Sequence, residues 1–259
     1  MENIISIKNL IVSVQDKDKK RRILDDISVD IKKDTITALV GESGSGKTTC
    51  ALSILRLLSD ALKIESGTLE FESQPLLKLS LKQMQNIRGK EIGMVFQEPL
   101  NAFNPLFTIS FQINEVLQYH TNLNKKQRQA RVLELLDVVG IEDVVRVSKN
   151  YPHQLSGGMR QRAMIAVAIA SNPKLLIADE PTSNLDVTLQ ARIIELFKDL
   201  KVKLNFSIIL ITHDLGLVEH LADEAIVMKE GKIVEKASVV ELLNNPQQQY
   251  TKELLNAIK

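Results

Sequence analysis

The 259-residue sequence has one cysteine, no tryptophan, almost no net charge and no long apolar segment. Cys50 alone cannot form an internal disulfide or a cysteine-based metal cluster, which indicates a reducing compartment and excludes zinc-finger and iron–sulfur proteins. The 33 basic and 32 acidic side chains leave a formal charge of +1, so no nucleic-acid partner is expected. The longest apolar run, Ala163 to Ala170, has eight residues, whereas a transmembrane helix needs about 20. The N-terminus lacks the pattern of a secretory signal, so we expect a cytosolic protein with at most a peripheral membrane role.

The apolar patterns that are present predict alternating strands and helices. Strands are predicted over residues 4–14, 27–31 and 35–40, with a charged turn over 15–22 and a helix over 50–58. Two amphipathic helices are predicted between 105 and 140, and a third runs from Gly157 to about Ser171. Buried-type strands over 175–178, 207–211 and 225–228 alternate with a helix over 189–204. This order predicts an α/β fold with a mostly parallel sheet that is covered on both faces.

The chain shows no internal repeat and no linker between independent domains, so a single domain is predicted. Its catalytic core comprises residues 1–97 and 155–235, its inserted α-helical subdomain comprises 98–154, and its helical C-terminal tail comprises 236–259. The N-terminal strands form antiparallel β elements beside the core.

A glycine-rich loop between a predicted strand and a predicted helix matches the pattern G-x4-G-K-[ST]. Such a loop directs backbone N–H groups inward at the positive end of a helix dipole, which makes an anion site. Lys47 is expected to reach the β- and γ-phosphates of a triphosphate, Thr48 to bind Mg²⁺, and Thr49 to lie near the α-phosphate. The predicted nucleotide-binding residues are Gly41, Glu42, Ser43, Gly44, Ser45, Gly46, Lys47, Thr48 and Thr49.

Two carboxylates, Asp179 and Glu180, end an apolar strand. Because carboxyl ends of parallel strands meet at one edge of the sheet, both acids are expected beside the phosphate loop. Asp179 suits the Mg²⁺ shell, directly or through water. Glu180 is predicted to act as general base on the attacking water.

Further short motifs resemble those of ATP-binding cassette (ABC) proteins and occur in that family's order. The segment Leu155-Ser-Gly-Gly-Met-Arg-Gln161 resembles the ABC signature, and its Ser156 lies 24 residues before Glu180. Phe96-Gln-Glu-Pro99 resembles the Q-loop, Ser183-Asn-Leu-Asp186 the D-loop, and Ile211-Thr-His-Asp214 the switch-histidine motif. The resemblance covers essentially the whole chain and implies a P-loop NTPase (RecA-like) core.

Longer stretches are similar to the ATPase subunits of bacterial dipeptide, oligopeptide and nickel importers. They are residues 97–105, 151–162 and 245–251. Many peptide-importer ATPases continue into a cysteine-bearing extension. This sequence has no such segment, which favours a nickel-type or compact peptide-type subunit. Residues 247–250 are interpreted as packing and turn residues.

The resemblance implies ATP hydrolysis with Mg²⁺ in a head-to-tail dimer. Ser156, Gly157, Gly158 and Met159 are expected to contact the nucleotide of the opposite subunit, with the D-loop Asp186 beside them. Gln97 is expected to sense Mg²⁺ and the attacking water, and His213 to bind the γ-phosphate. The metal residues are therefore Thr48, Gln97 and Asp179.

The same resemblance implies partners and a location. These are a paralogous ABC ATPase subunit, with a heterodimer expected, two integral membrane permease subunits and an extracellular or periplasmic solute-binding protein. The chain is then a peripheral protein on the cytoplasmic face of the cell membrane, and the segment from Asn101 to Tyr119 is expected to dock helices of the membrane subunits. The cargo stays open between peptides, nickel and another small solute.

One position departs from the family pattern. The family stacks adenine on an aromatic residue at the end of the first strand, where this chain has Val14. Aromatic stacking on a base contributes about 1–3 kcal/mol in nucleic-acid sites, so base recognition is expected to be weaker.

Other classes of cassette protein fit less well. Chromosome-maintenance and repair ATPases insert a long coiled coil between phosphate loop and signature, but Lys47 and Ser156 are only 109 residues apart. A non-catalytic cassette would tolerate the loss of Lys47, Glu180 or His213, and all three are present. An ABC ATPase outside transport remains the alternative.

Overall fold

The computed structural model of the chain describes residues 2–16, 19–183 and 185–256. Its strands are β1 (Asn3–Asp16), β2 (Lys19–Lys32), β3 (Ile36–Val40), β4 (Leu62–Phe71), β5 (Gln74–Pro75), β6 (Ile92–Val95), β7 (Leu175–Asp179), β8 (Ser207–Thr212), β9 (Glu224–Lys229) and β10 (Lys232–Ser238). Its α-helices are α1 (Lys47–Leu55), α2 (Leu81–Ile87), α3 (Pro99–Ala102), α4 (Ile109–His120), α5 (Lys125–Val138), α6 (Val144–Lys149), α7 (Gly157–Ala168), α8 (Val187–Leu204), α9 (Leu215–Leu221), α10 (Val239–Asn244) and α11 (Gln249–Asn256). Short 3₁₀ helices span Leu76–Lys78 and Pro152–Gln154.

The chain divides into two compact units. The first unit comprises Met1–Met84 and Phe206–Lys259, and the second comprises Gln85–Asn205. The helices α3 to α6 all fall within the predicted insertion, residues 98–154. The predicted division into core, insertion and tail stays a prediction.

An antiparallel sheet in the first unit has the strand order β2-β1-β4-β5. Strands β1 and β2 continue into the charged segment that was expected to be a turn, and Gln15 pairs with Lys20 there. The turn is thus shorter than the predicted span of 15–22, since long-range pairing extends both strands beyond their apolar residues. Lys17 and Asp18 lie outside the described residues.

Strand β3 lies at the centre of the parallel strands of the first unit. It pairs in parallel with β8 and with β9, and β10 pairs antiparallel with β9. Every residue of β3 is buried, as expected for a strand covered on both faces. The predicted α/β fold with a mostly parallel sheet and N-terminal antiparallel β elements is confirmed.

The two faces of β3 pack against different helices. Ala38 and Val40 belong to an apolar cluster with residues of α9, α10 and α11. Thr37 and Leu39 point to the opposite side, where they line a small apolar cavity together with Ile54 of α1. This alternation follows from the two-residue period of a strand. The helix α1 therefore packs on one face of β3, and α9, α10 and α11 pack on the other.

The second unit contains the parallel pair β6 and β7 together with the helices α3 to α8. The helix α7 packs against β6, and α4, α5 and α6 pack against one another. At Gly93 on β6 an added Cβ would lie 2.2 Å from the carbonyl oxygen of Ala168, so α7 approaches the strand more closely than any side chain would allow.

Several boundaries differ from the sequence prediction. The first helix ends at Leu55, not at 58, because Arg56 adopts a left-handed conformation and its N–H bonds back to the helix. The helix α8 begins at Val187, two residues early, since Asp186 caps it. The helices of the C-terminal segment begin at Val239, after β10 has ended at Ser238, and residues 257–259 are not described.

Within the described ranges, no helix is both long and apolar enough to cross a membrane.

Candidate active site

The predicted phosphate loop connects β3 to α1 and is shaped by its glycines. Gly46 is the N-cap of α1 with φ +104°, and an added Cβ would lie 2.8 Å from a methyl carbon of Leu24. At Gly41 an added Cβ would lie 2.2 Å from the carbonyl oxygen of Met228. A side chain at either position would push the loop away from the strands that hold it.

Lys47 lies inside this loop with only 6% of its surface exposed. Its ammonium donates hydrogen bonds to the carbonyl oxygens of Gly41 and Glu42, each at 2.8 Å. A buried ammonium is costly to desolvate unless oxygen atoms surround it. The loop therefore holds a cation next to the N-terminal amides of α1, which is the electrostatic arrangement that a phosphate chain requires.

The neighbouring hydroxyl residues differ in exposure. Thr48 is exposed at the second position of α1, and Thr49 is half-buried. The N-cap of α1 is Gly46, which has no side chain that could cap the helix. The exposed Thr48 side chain therefore lies in the first turn of the helix, next to the buried Lys47.

The switch histidine lies at the same edge as the phosphate loop. Val40, which precedes Gly41, pairs with Thr212, which precedes His213. His213 is exposed, and the next residue, Asp214, caps α9 by accepting hydrogen bonds from two of its amides. Parallel register therefore places His213 at the sheet edge from which the phosphate loop emerges.

A second polar edge lies in the second unit. Val95 pairs with Ala178, so Gln97 follows one strand, while Asp179 ends the other and Glu180 follows it. Asp179 is buried with 3% of its surface exposed, whereas Glu180 is half-buried and has φ +46°. The strands thus place the Q-loop glutamine and both carboxylates at one edge.

The signature segment begins a helix, as predicted. Ser156 is the N-cap of α7, and its hydroxyl accepts a hydrogen bond from the amide of Met159 at 3.3 Å. Gly157 is exposed, while Gly158 faces Leu189 of α8, whose methyl carbon would lie 3.2 Å from an added Cβ.

The D-loop and signature segments are linked through α8. Asp186 accepts a hydrogen bond from the amide of Leu189 at 3.0 Å, so the predicted D-loop residue is also the cap that positions the side chain facing Gly158. Asn184, part of the same motif, lies outside the described residues.

Val14, the predicted adenine contact, is half-buried on β1 and pairs with Arg21 and Leu62. Next to it, the hydroxyl of Ser13 donates a hydrogen bond to Glu65, which also forms an ion pair with Lys20. Successive side chains of a strand point to opposite faces, so this group lies on the other face of β1, and the cross-strand neighbours of Val14 are one charged and one apolar residue.

The predicted Mg²⁺ residues offer a hydroxyl, an amide and a carboxylate group, and oxygen atoms of these types are what Mg²⁺ prefers. Thr48 belongs to the first unit, and Gln97 and Asp179 belong to the second. No group of three or more His, Cys, Asp or Glu side chains suited to a metal occurs in the described part of the chain. The donor chemistry fits a magnesium ion that also binds substrate phosphates.

Two hydrogen bonds of these motifs were not predicted from the sequence. Ser183 donates to the carbonyl oxygen of Glu180, and the hydroxyl of Tyr250 accepts a hydrogen bond from the amide of Glu42 at 3.2 Å. Ser183 lies within a recognised motif, so its proximity to Glu180 could have been inferred. Tyr250 is 208 residues from Glu42, and no local pattern indicates their contact.

Comparison with known proteins identifies the family. A protein-family model described as ABC transporter matches residues 24–183. The chain belongs to this family. It is an ABC-type ATPase, and the match spans the phosphate loop, the signature and the acidic pair. A shorter match, over residues 149–219, is to a model described as an AAA domain, putative AbiEii toxin, type IV TA system.

Similar sequences extend along the whole ABC domain. The chain is 48% identical over 259 residues to the oligopeptide transport ATP-binding protein AppD of Bacillus subtilis, covering 100% of this chain and 79% of that protein. It is 44% identical to the dipeptide transport ATP-binding protein DppD of Escherichia coli, covering 98% and 78% of the two chains.

Solved structures agree with the fold. A dimeric ATP-binding cassette in a post-hydrolysis state with ADP and Pi superimposes with a TM-score of 0.82 at 27% identity, covering 91% of this chain and 98% of that one. The structure of cbiO1 from Clostridium perfringens, part of the ABC transporter complex cbiONQ, gives 0.80 at 27% identity, covering 100% and 95%.

Proposed function

We propose that this ABC ATPase powers an importer of oligopeptides or dipeptides. The observation that carries the proposal is the 48% identity, along the entire chain, to a protein named for oligopeptide transport. A second relative is named for dipeptide transport, and both names favour peptides over nickel as the cargo.

ATP binding is assigned to the phosphate loop of the first unit. Backbone amides of residues 44–49 surround the phosphates, and Lys47 exchanges its carbonyl partners for phosphate oxygens. This role is supported by the burial of Lys47 and by its position at the N-terminus of α1. Val14 is the proposed neighbour of adenine.

Hydrolysis is assigned to groups at the strand ends. Glu180 accepts the proton of the attacking water, Gln97 orients that water, and His213 donates a hydrogen bond to the γ-phosphate. When Mg²⁺ is bound, it supplies positive charge that offsets the charge on the phosphates. Thr48, Gln97 and Asp179 are the residues proposed to hold it.

Two ATPase subunits are proposed to close head to tail around two nucleotides. Ser156, Gly157, Gly158 and Met159 then complete the partner's site, and Asp186 positions this segment through α8. The exposure of Ser156 and Gly157 at the start of a helix supports this role. The similar ATP-binding cassette in its post-hydrolysis state is a dimer, which also favours it. We propose that the partner is a paralogous ATPase, which gives a heterodimer.

The helical segment from Asn101 to Tyr119 is proposed to dock two membrane permease subunits. It exposes large apolar side chains, including Leu106 and Tyr119, and the rings of Phe107 and Phe111 stack with centroids 4.3 Å apart. Exposed apolar groups of this size are typical of protein–protein contact surfaces. The complex then includes an extracellular or periplasmic solute-binding protein, and the ATPase lies on the cytoplasmic face of the membrane.

The test is co-expression with and without a paralogous ATPase and the membrane subunits, followed by measurement of ATP hydrolysis and of crosslinks from cysteines placed at 106 and 119. We expect low activity of the isolated chain, higher activity of the complex, and crosslinks to the membrane subunits. A matched cysteine at the exposed position Val202 on α8 serves as the crosslinking control. Full activity of the lone chain, or crosslinks no stronger than at 202, would contradict the proposal.

A further inference from the structure

The C-terminal helix α11 contacts the phosphate loop through a tyrosine. The hydroxyl of Tyr250 accepts a hydrogen bond from the amide of Glu42, the second residue of the loop, at 3.2 Å. The ring is 8% exposed and packs in the same apolar cluster as Val40, the last residue of β3. Tyr250 is therefore fixed against the strand from which the loop emerges.

The surroundings of the ring keep its hydroxyl neutral and its position defined. Burial raises the pKa of Tyr250 above its ordinary value. The hydrogen bond from the Glu42 amide acts against this rise, and the nearby charges of Glu42 and Glu230 add to it. The ammonium of Lys229 lies 4.5 Å from the ring centroid, a cation–π distance. The Glu42 amide thus contacts the phenolic oxygen, and Lys229 contacts the face of the ring.

The same peptide group contacts the lysine of the loop. The peptide between Gly41 and Glu42 donates its N–H to Tyr250, and its carbonyl oxygen accepts a hydrogen bond from the Lys47 ammonium at 2.8 Å. A peptide group is planar, so fixing the direction of the N–H also fixes the direction of the C=O. Tyr250 and Lys47 therefore hold opposite sides of one peptide.

A carboxylate on β10 anchors the start of α11. Glu235 accepts hydrogen bonds from the amides of Gln247 and Gln248, at 2.8 and 3.1 Å, and from the hydroxyl of Thr251. These bonds lie on both sides of Tyr250 in the sequence. They set the distance between the helix and the strand, and with it the place of the phenolic oxygen.

We propose that Tyr250 is a positioning residue for ATP binding, which keeps the Gly41–Glu42 peptide oriented so that Lys47 and the loop amides are arranged before the nucleotide arrives. The inference rests on the proposed role of the phosphate loop. Without the phenolic acceptor this peptide can rotate, and its carbonyl then no longer directs Lys47. The nucleotide then has to order the loop as it binds, and the free energy spent on this ordering lowers its affinity.

The experiment compares Tyr250→Phe with the parent in isothermal titration of the full chain with MgATP and with MgADP. Phenylalanine keeps the ring, its packing and its contact with Lys229, and removes the hydroxyl that the amide and the side chain of Glu42 contact. We expect the Kd for both nucleotides to rise about 2- to 10-fold, the range that one net hydrogen bond supports. The melting temperature without nucleotide changes little, which a merely structural role would not predict.

Three further variants serve as a control for α11, a test of the Glu235 anchor and a test of the phosphate loop. Glu253→Gln alters an exposed side chain on the same helix and leaves the Kd unchanged. Glu235→Gln loosens the anchor and raises the Kd, and its effect is not additive with Tyr250→Phe because both act through one hydrogen bond. Lys47→Ala tests the loop itself and abolishes measurable binding.

The outcomes distinguish the proposed role of Tyr250 from the proposed function of the phosphate loop. If Lys47→Ala loses ATP while Tyr250→Phe binds as the parent does, the role of Tyr250 is refuted and the proposed function stands. If Lys47→Ala also binds normally, both fail. Fully additive effects of Glu235→Gln and Tyr250→Phe would equally overturn the proposed linkage.

Discussion

Ser183 donates two hydrogen bonds to the carbonyl oxygen of Glu180, one from its amide at 3.1 Å and one from its hydroxyl at 2.9 Å. Glu180 has φ +46°, a left-handed conformation that is unfavourable for a residue other than glycine. Strained backbone of this kind persists only where neighbouring contacts enforce it. The turn after β7 therefore aims the proposed general base at the cost of local strain, and Ser183 maintains that turn.

Replacing Ser183 with alanine removes the hydroxyl bond and leaves the amide bond in place. We expect turnover in the assembled transporter to fall about 2- to 10-fold, the equivalent of one net hydrogen bond, with ATP affinity nearly unchanged. Steady-state kinetics against the control Ser66→Ala, at an exposed position on β4, measures the effect. A rise in KM with no change in kcat would show that Ser183 serves binding instead.

Introducing an aromatic ring at position 14 should strengthen nucleotide binding. Val14 is half-buried on β1, and Val14→Tyr adds a surface for stacking that contributes about 1–3 kcal/mol in nucleic-acid sites. We expect the Kd for ATP to fall at least severalfold, whereas Val14→Leu, which adds size without a ring, has little effect. Isothermal titration measures both. Equal affinities for all three proteins would mean that Val14 does not border the adenine.

Cys50 should be chemically inert in the folded protein. It is 4% exposed within α1, and burial raises the pKa of its thiol to about 12. Because the thiolate is the reactive form, labelling by a maleimide at pH 7.5 should be negligible until denaturant unfolds the chain. Time-resolved mass spectrometry with and without urea measures it. Rapid stoichiometric labelling of the native protein would contradict the burial of α1.

The contribution of Glu235 to stability should depend on pH. Burial raises the pKa of its carboxyl, but the bonds from Thr251, Gln247 and Gln248 outweigh this and leave the pKa below the ordinary 4.5. A carboxyl with a lowered folded pKa stabilises the protein fully above its unfolded value and loses that effect as the pH falls through the folded value.

Glu235→Gln should therefore lower the free energy of unfolding by about 1–3 kcal/mol at pH 7, and the difference from the parent should shrink as the pH falls below about 4.5. Urea titrations of both proteins between pH 7 and 3.5 test this. A difference that stays constant over this range would rule out the charge of Glu235 as the cause.

The elements that carry the site could be predicted because their determinants are local. Residues 36–48 contain a short apolar strand, three glycines and the Lys-Thr pair in sequence, and each part specifies its own conformation. The N-cap at Ser156 and the strand before Asp179 are local in the same way. The placement of these motifs could then be predicted as well, because neighbouring parallel strands end at the same edge of the sheet.

What the sequence did not reveal depends on contacts between distant residues. The strand β4 contains Ser66 and Gly67 and exposes most of its side chains, so its apolar pattern is weak, and its pairing with β1 stabilises it. The charged ends of β1 and β2 are strands for the same reason. The hydrogen bond between Tyr250 and Glu42 connects residues that are 208 positions apart in the sequence. Its geometry depends on Glu235, which anchors α11.

The central claim is that Glu180 is the general base of a peptide-dependent ATPase. The most direct measurement is ATP turnover by the assembled transporter in lipid vesicles, with and without a peptide-loaded binding protein, for the parent and for Glu180→Gln. An amide cannot accept the proton of the attacking water, so we expect Glu180→Gln to bind ATP like the parent, to lose about 100-fold or more of the turnover, and to lose its response to peptide. Turnover within a few-fold of the parent, or parent activity that peptide does not stimulate, would contradict the account.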